Sequence, residues 1–518
     1  MRRNGKYIFK HFSSMLFVIF SLLLISANTL ASDIIPKKIL FPKAFAIAID
    51  DMGWNEGRSM GDSDGPWRVG LRRDFDLRDY RPIVEVGEAV SVRFQGLFIM
   101  AEMDRMNVCA KYPTTTQTGE NFDNSVNIDL SQIEVMNYVK ENAAYLEFGL
   151  HGVGHEHWEN GQRTRAEWYD IENDKPWPEQ DIRDHIKCFK EIMAQYGWTP
   201  ENGQSFPESF VPCAYGYYWN PKGSYSTGTI MHENGVKYVN TLFDWISELN
   251  PPKEFGGGFD HGVLVINREN YGNEWFEAAS LPKELVENYK TDIIETHWAN
   301  WLATDDFLQP KLNQKWIDYF KNIQACPDHY LAKNTEQLYS QWLYTHFTTV
   351  KETIPGQVTI DNREMPEEAY DYELLGNMVL AISLDEGQHV SAAQINGEPI
   401  AAYFEDQGYG YIYLPPLEKK NYQLKYELGN ELMPVFINNT GTYNVYSVHI
   451  DKDKIEFDLK MYGTQVVRVK SPKPSSIHST NPNLKILSHQ YDSKNHLLLL
   501  KIMGHNIQGE RGKICLEL

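Results

Sequence analysis

From about Phe45 to Val350, short apolar runs alternate with stretches of helical period. "AFAIAID", "NVCAKY", "YLEFGL", "SFVPCA", "VKYVNT", "HGVLVIN" and "DIIETHW" read as strands, being brief, apolar and bounded by polar or turn residues. "EQDIRDHIKCFKEIMAQYG" reads as a helix, since Ile182, Ile186, Phe189 and Met193 recur on one face and Gly197 ends it. "SQIEVMNYVKEN" is a second helix, with Asp129 or Ser131 placed to cap it. Helical stretches are also expected near Ser224–Asn234, Lys283–Tyr289, Lys311–Gln324 and Thr335–Phe347. Strand–helix alternation predicts an α/β domain with a mainly parallel sheet. Seven or so such units within a few hundred residues favour a (β/α) barrel over an open sheet.

After Lys351 the helical period stops. "QVTIDN", "MVLAISL", "VSAAQINGEPI", "GYIYLPPL", "YQLKYEL", "VYSVHI", "KIEFDLKM" and "TQVVRVK" are short strands divided by Gly, Asn, Asp and Pro turns. A polar linker or long loop, Ser471 to Asn483, precedes two last strands, "LKILSHQY" and "HLLLLKIM". The predicted layout is therefore a barrel domain over 32–350 and β-sandwich modules over 351–430 and 431–518, with a seam near Gly429–Met433.

Residues 1–31 match the three-part pattern of a secretory signal peptide. Arg2, Arg3, Lys6 and Lys10 precede the apolar "SMLFVIFSLLLISA", and small residues end at Ala31. That run is short for a membrane span, so a secreted or periplasmic protein without stable membrane insertion is expected. The chain carries a net charge of −21, and loss of the four basic residues of the signal leaves −25. A surface of that sign repels nucleic acid and anionic membranes. Cys109, Cys188, Cys213, Cys326 and Cys515 are too few and too scattered for a disulfide framework, leaving room for one or two bridges at most.

Chemistry gathers at the predicted strand ends, where loops of a parallel α/β domain converge. "FAIAIDDMGW" closes a strand with Asp50 and Asp51, adjacent carboxylates that need a cation or a proton between them unless they serve only to cap a turn. "LHGVGHEHW" supplies His151 and His155, whose i, i+4 spacing on a helical turn would let two imidazoles share an ion; His157 points elsewhere. "IIETHWANW" ends another strand with His297 beside Trp298 and Trp301; a histidine in that setting also serves as a structural residue.

Taken together and in chain order, these segments resemble the NodB-type polysaccharide deacetylases, a family of carbohydrate esterases. The family's T-F-D-D is "AIDD" here, its H-[ST]-x-x-H is "HGVGH", its Asp-Trp is Asp244–Trp245 in "LFDW", and its Leu-x-His is "ETH". "SFVPCAYGYYW" keeps Pro212 of the family's Arg-x-Pro-Tyr and lacks the arginine; Arg268 and Arg58 are the candidate substitutes. The resemblance spans roughly 41–330. It implies a distorted (β/α) barrel and a zinc ion, or another divalent metal, on Asp51, His151 and His155. It further implies Asp50 as general base, His297 as general acid, and the Cys213 backbone N–H as oxyanion donor, with Asp244 and Trp298 near the substrate. The segment from Arg58 to Val90 would be an insertion that shapes the cleft or caps the barrel.

The activity implied is removal of N- or O-linked acetyl groups from a polysaccharide or oligosaccharide. Two alternatives stand beside it. One is a glycoside hydrolase or lyase using a carboxylate pair drawn from Glu156, Asp260 and Glu269; the other is a glycan-binding protein with a degenerate site. The β-rich tail is expected to be a spacer or stability module.

Overall fold

The computed structural model describes residues 38–54, 71, 73, 75–125, 128–159, 162–164, 166–220, 222–223, 225–243, 256–326 and 328–518. Seven parallel strands form a closed ring: β1 (Lys43–Met52), β2 (Phe94–Ile99), β3 (Leu146–Gly152), β4 (Ser209–Phe210), β5 (Tyr238–Thr241), β6 (Val263–Glu269) and β7 (Ile293–His297). Each pairs with the next, and β7 pairs back onto β1 with Ile293 opposite Ala46 and His297 opposite Asp50. These strands read as continuous apolar runs because both faces are covered. Ile47, Ile49, Phe98, Phe148, Leu150, Phe210, Val239, Val265 and Ile294 are all buried.

The outer helices are α1 (Leu77–Val90), α2 (Leu130–Glu141), α3 (Glu179–Gln195), α4 (Thr227–Glu233), α5 (Gln309–Gln324) and α6 (Thr335–Phe347). In α3 the buried residues include Ile182, Ile186, Phe189 and Met193, the face the periodicity marked, and Gly197 follows with φ 72°. Asp129 caps α2 by accepting from the Ser131 N–H.

Four expectations for the residues before Lys351 need correction. "NVCAKY" is a 3-10 turn over Val108–Lys111, held by the Asp104 carboxylate accepting from the Cys109 N–H. The Lys283–Tyr289 stretch holds only a short 3-10 turn, Val286–Asn288. The second half of the Arg58–Val90 segment is no insertion: it is α1, the first helix of the ring, and β2 follows it. And His151 and His155 do not share a helical turn, since His151 lies in β3 and His155 in the bend beyond it with φ 66°.

Beyond Lys351 the described chain is β-rich, its one α-helix being the four-residue Glu368–Asp371. Three sheets account for it. One is five-stranded (349–354, 357–361, 421–429, 389–395, 398–399), and another is four-stranded (444–450, 454–461, 510–517, 476–479); the expected linker at 471–483 thus holds a strand, 476–479, whose partner 510–517 is a third strand after the two expected at the end. The largest joins 378–383, 409–414 and 402–406 to 436–438, 464–470, 497–504 and 484–492, so it runs across the Gly429–Met433 stretch.

This β-rich region docks at the end of the barrel where its strands begin. Arg93, just before β2, donates to Ala143 O, Glu147 and Ile507 O, and its guanidinium lies 4.3 Å from the Tyr462 ring centroid. Gln508 donates to Phe148 O at 2.7 Å, Thr442 to Ala144 O at 2.6 Å, and Lys460 to Glu208 at 2.6 Å. The opposite end, where the strands finish, holds the candidate site.

Residues 1–37, including the expected signal peptide, lie outside the described residues. Among the described residues no helix is long and apolar enough to cross a membrane. All five cysteines are free thiols, and Cys109 Sγ lies 3.7 Å from Cys188 Sγ.

Candidate active site

Adjacent strand residues normally point to opposite faces, yet Asp50 and Asp51 both line one cavity. A bulge explains this. Ile49 pairs with Gly96 and Met52 with Phe98, so Asp50 and Asp51 together oppose the single residue Leu97. Asp51 takes a left-handed φ of 66° to complete the turn inward. A second bulge works the same way on β3: Leu150 pairs with Phe98 and Gly152 with Ile99, leaving His151 as the extra residue. Both are at strand ends, where bulges re-aim side chains.

The result is convergent. His151 Nε2 lies 3.4 Å from Asp51 Oδ1, and His155 Nε2 lies 3.7 Å from the same oxygen. The other ring nitrogens are engaged, His151 Nδ1 with Val211 O at 2.8 Å and His155 Nδ1 with Glu156 Oε1 at 3.2 Å. Hydrogen bonding at Nδ1 leaves Nε2 of each neutral ring as a lone pair. Asp51 Oδ1 is buried and has no hydrogen-bond partner. Two ring nitrogens within 3.7 Å of an unsatisfied anionic oxygen make a donor set that could hold a divalent cation such as zinc, and the residues present fit such an ion. Cys213 Sγ also comes within 4.8 Å of both imidazoles. Burial pushes its thiol well above the usual range, however, and it donates to His151 O at 3.3 Å, so Asp51 is the better anionic donor.

Asp50 faces a different environment. Arg268 grips it with two parallel hydrogen bonds, Nη1 to Oδ1 at 2.9 Å and Nη2 to Oδ2 at 2.7 Å, both side chains buried. Burial alone would raise the Asp50 carboxyl, but the Arg268 charge, His151 and the hydrogen bonds outweigh it and hold the group below the usual carboxylate range. Asp51 is likewise lowered: burial opposes this, and its neighbours His151, His155 and His297 prevail. His151 moves up, because Asp50 and Asp51 overcome its burial.

His297 closes the pocket from β7, its Nε2 4.0 Å from Asp50 Oδ2 and its Nδ1 3.9 Å from Glu295 Oε1. Glu295 accepts from Tyr215 OH at 2.6 Å and lies 3.5 Å from Arg268 Nε. Asp50, Glu295 and His297 could by proximity hold a cation, but the Arg268 guanidinium already supplies that charge.

The cavity is about 230 Å³, lined by these groups with Ala214, Tyr215, Leu242, Asn270 and Trp275. Other expected residues fall elsewhere. Trp298 is core: its indole donates to Asp79 O at 3.1 Å and its ring meets Phe75 edge-on. Tyr215 and Trp275 are the pocket's aromatic residues instead. The Cys213 side chain is buried, and the wall there is Ala214 and Tyr215, at φ 49° and 62°. His157 stacks on Trp177 at 3.8 Å, and burial and the nearby His185 lower it to about 4. Asp244, Trp245 and Arg58 lie outside the described residues. Of the three alternative carboxylates, Glu156 accepts from Ala166 N and Asp260 from Tyr217 OH, Ser226 Oγ and Gly228 N, and none of the three lines the cavity.

Sequence reasoning missed Glu295, Tyr215 and Trp275. Glu295 alone left a trace, sitting two residues before His297 and so on the same face of β7. Comparison with protein-family models gives no match, and comparison with curated proteins gives none either.

Proposed function

We propose that this chain is a metal-dependent carbohydrate deacetylase on a NodB-type barrel, with the β-rich region as accessory sandwich modules. The observation that carries the reading is the buried, unpartnered Asp51 Oδ1 faced by Nε2 of His151 and His155. A divalent ion held by these three would lower the pKa of a water and polarise the acetyl carbonyl. Asp50, ionised and oriented by Arg268, accepts the proton of the attacking water. His297, across the register from Asp50, delivers a proton to the departing amine or alkoxide. The backbone N–H of Cys213 would serve as the donor to a developing oxyanion, and Trp275, which lines the cavity, would meet a sugar ring.

A glycosidase reading has less support. None of Glu156, Asp260 and Glu269 lines the cavity, and of the carboxylates near it, Asp50 and Glu295 are both held by Arg268.

The test pairs acetate release from a panel of N- and O-acetylated glycans, with and without chelator, with elemental analysis. About one divalent ion per chain is expected, with activity lost on chelation. His151→Ala and His155→Ala should lose the ion, and His157→Ala should keep it. Equal retention by all three variants would refute the ligand assignment, and absence of acetate release across the panel would refute the activity.

A further inference from the structure

We propose that Glu167 is a positioning residue for the metal ligands: its carboxylate takes the place that a hydroxyl side chain at position 152 would fill, and it fixes His155 toward the ion. This rests on the metal-site reading above.

Glu167 lies in the segment following the short hairpin 157–159/162–164. It is fully buried, and both its oxygens point into the loop between His151 and His155. The Val153 N–H donates to Oε1 at 2.8 Å and Oε2 at 3.0 Å, and the His155 N–H donates to Oε2 at 2.8 Å. His185 Nδ1 meets Oε1 at 2.7 Å, and Thr114 Oγ1 meets its Nε2 at 3.0 Å. The neighbouring residues grip the same loop: the Trp168 indole donates to His151 O at 2.7 Å, and Ala166 N–H donates to the Glu156 carboxylate that also contacts His155.

The fit explains the glycines of "HGVGH". A Cβ on Gly152 would stand 2.1 Å from Glu167 Oε2, and one on Gly154 would stand 1.8 Å from Thr115 O. Side chain at 152 and carboxylate at 167 therefore exclude each other. His155 needs such a clamp because its φ of 66° is unfavourable for a residue bearing a Cβ. A carboxylate accepting from the Val153 and His155 amides holds that conformation. Without it, two buried donors are left unpaired, and His155 loses its aim.

Exclusion at one spot gives a test by pairwise substitution. Zinc affinity is measured by chelator competition on full-length protein, beside apo-protein melting and the visible spectrum of the cobalt-substituted form. Glu167→Gln puts an amide NH2 against donors and should weaken zinc binding about 10- to 100-fold. Gly152→Ser alone should do likewise through the clash. In Glu167→Ala the oxygen is gone, so adding Gly152→Ser lets the serine hydroxyl accept from the His155 amide; the double variant should bind zinc more tightly than either single one and regain the wild-type cobalt spectrum. Asp260→Asn, which cuts a buried carboxylate network away from the cavity, should lower melting without changing zinc affinity. If Glu167→Gln does not fold, Glu167→Asp, which keeps charge and loses reach, replaces it in the comparison. Wild-type affinity in Glu167→Gln, or additive losses in the double variant, would overturn the clamp and leave the metal site standing. A wild-type protein that binds no divalent ion would overturn both.

Discussion

Asp50 and Asp51 are chain neighbours with different partners, and the bulge that turns both inward also divides their work. Asp51 faces two imidazole nitrogens and Asp50 faces a guanidinium. Asp50→Asn should keep the ion and lose turnover by about a hundred- to ten-thousand-fold, since an amide cannot take the water's proton. Asp51→Asn should lose the ion itself. Metal content beside acetate release checks both. Arg268 sets the pH range. Its charge lowers the Asp50 carboxyl, so the pair's contribution is present above the ordinary carboxylate pKa and fades as pH falls through the lowered one. In Arg268→Met burial acts unopposed, and the acidic limb of the kcat/KM profile should move to higher pH; in Arg268→Lys it should move less. An unmoved limb would show that Asp50 is not the titrating base. The aspartates and histidines were legible in sequence because they close strands. Arg268 was legible only as one of two candidates, because its partner Asp50 lies on a strand not paired with β6.

At the scale of elements, regular periods were read well and compensated breaks were not. The α3 face is plain in "IRDHIKCFKEIM" because nothing interrupts it. The α1 segment carries Pro82, which removes an internal donor, and so lacks an obvious helical reading. The structure supports it at its N-terminal end. Asp76 and Asp79 form a reciprocal cap, Arg73 clasps Asp79 through both carboxylate oxygens, and Asp79 O accepts from Trp298. Asp76→Ala should cost about 1 kcal/mol, within the usual 0.5–2 kcal/mol for a lost cap, and denaturant unfolding would measure it. The strand expected at "NVCAKY" fails for a related reason: apolar content survives, but Asp104 and Asn124 bind the local backbone and fold it into turns.

For the whole molecule, the β-rich region and the site occupy opposite ends of the barrel. Arg93, Glu147, Ala144, Gln204 and Glu208, which meet or stand beside that region, all precede strands or begin them. A chain ending at Val350 strips these partners away and uncovers the buried Arg93–Glu147 pair. It should melt roughly 10 °C below the full-length protein, or fail to stay soluble. Equal melting would show that the β-rich region contributes nothing to the barrel. The change of hydrophobic period near Lys351 made this region's strands readable. Its docking face was not, because the contacts are single polar residues scattered over distant segments.

Closure of the ring has a consequence for the order in which the site comes into being. All three proposed ion ligands belong to the first 155 residues, on or just beyond β1 and β3. Asp50 and His297 become neighbours only when β7 pairs with β1. A nascent barrel lacking its last strand would own a place for the ion and no proton donor opposite the base. Sealing the cylinder is then the step that completes the proposed site, after its three proposed ion ligands are already made.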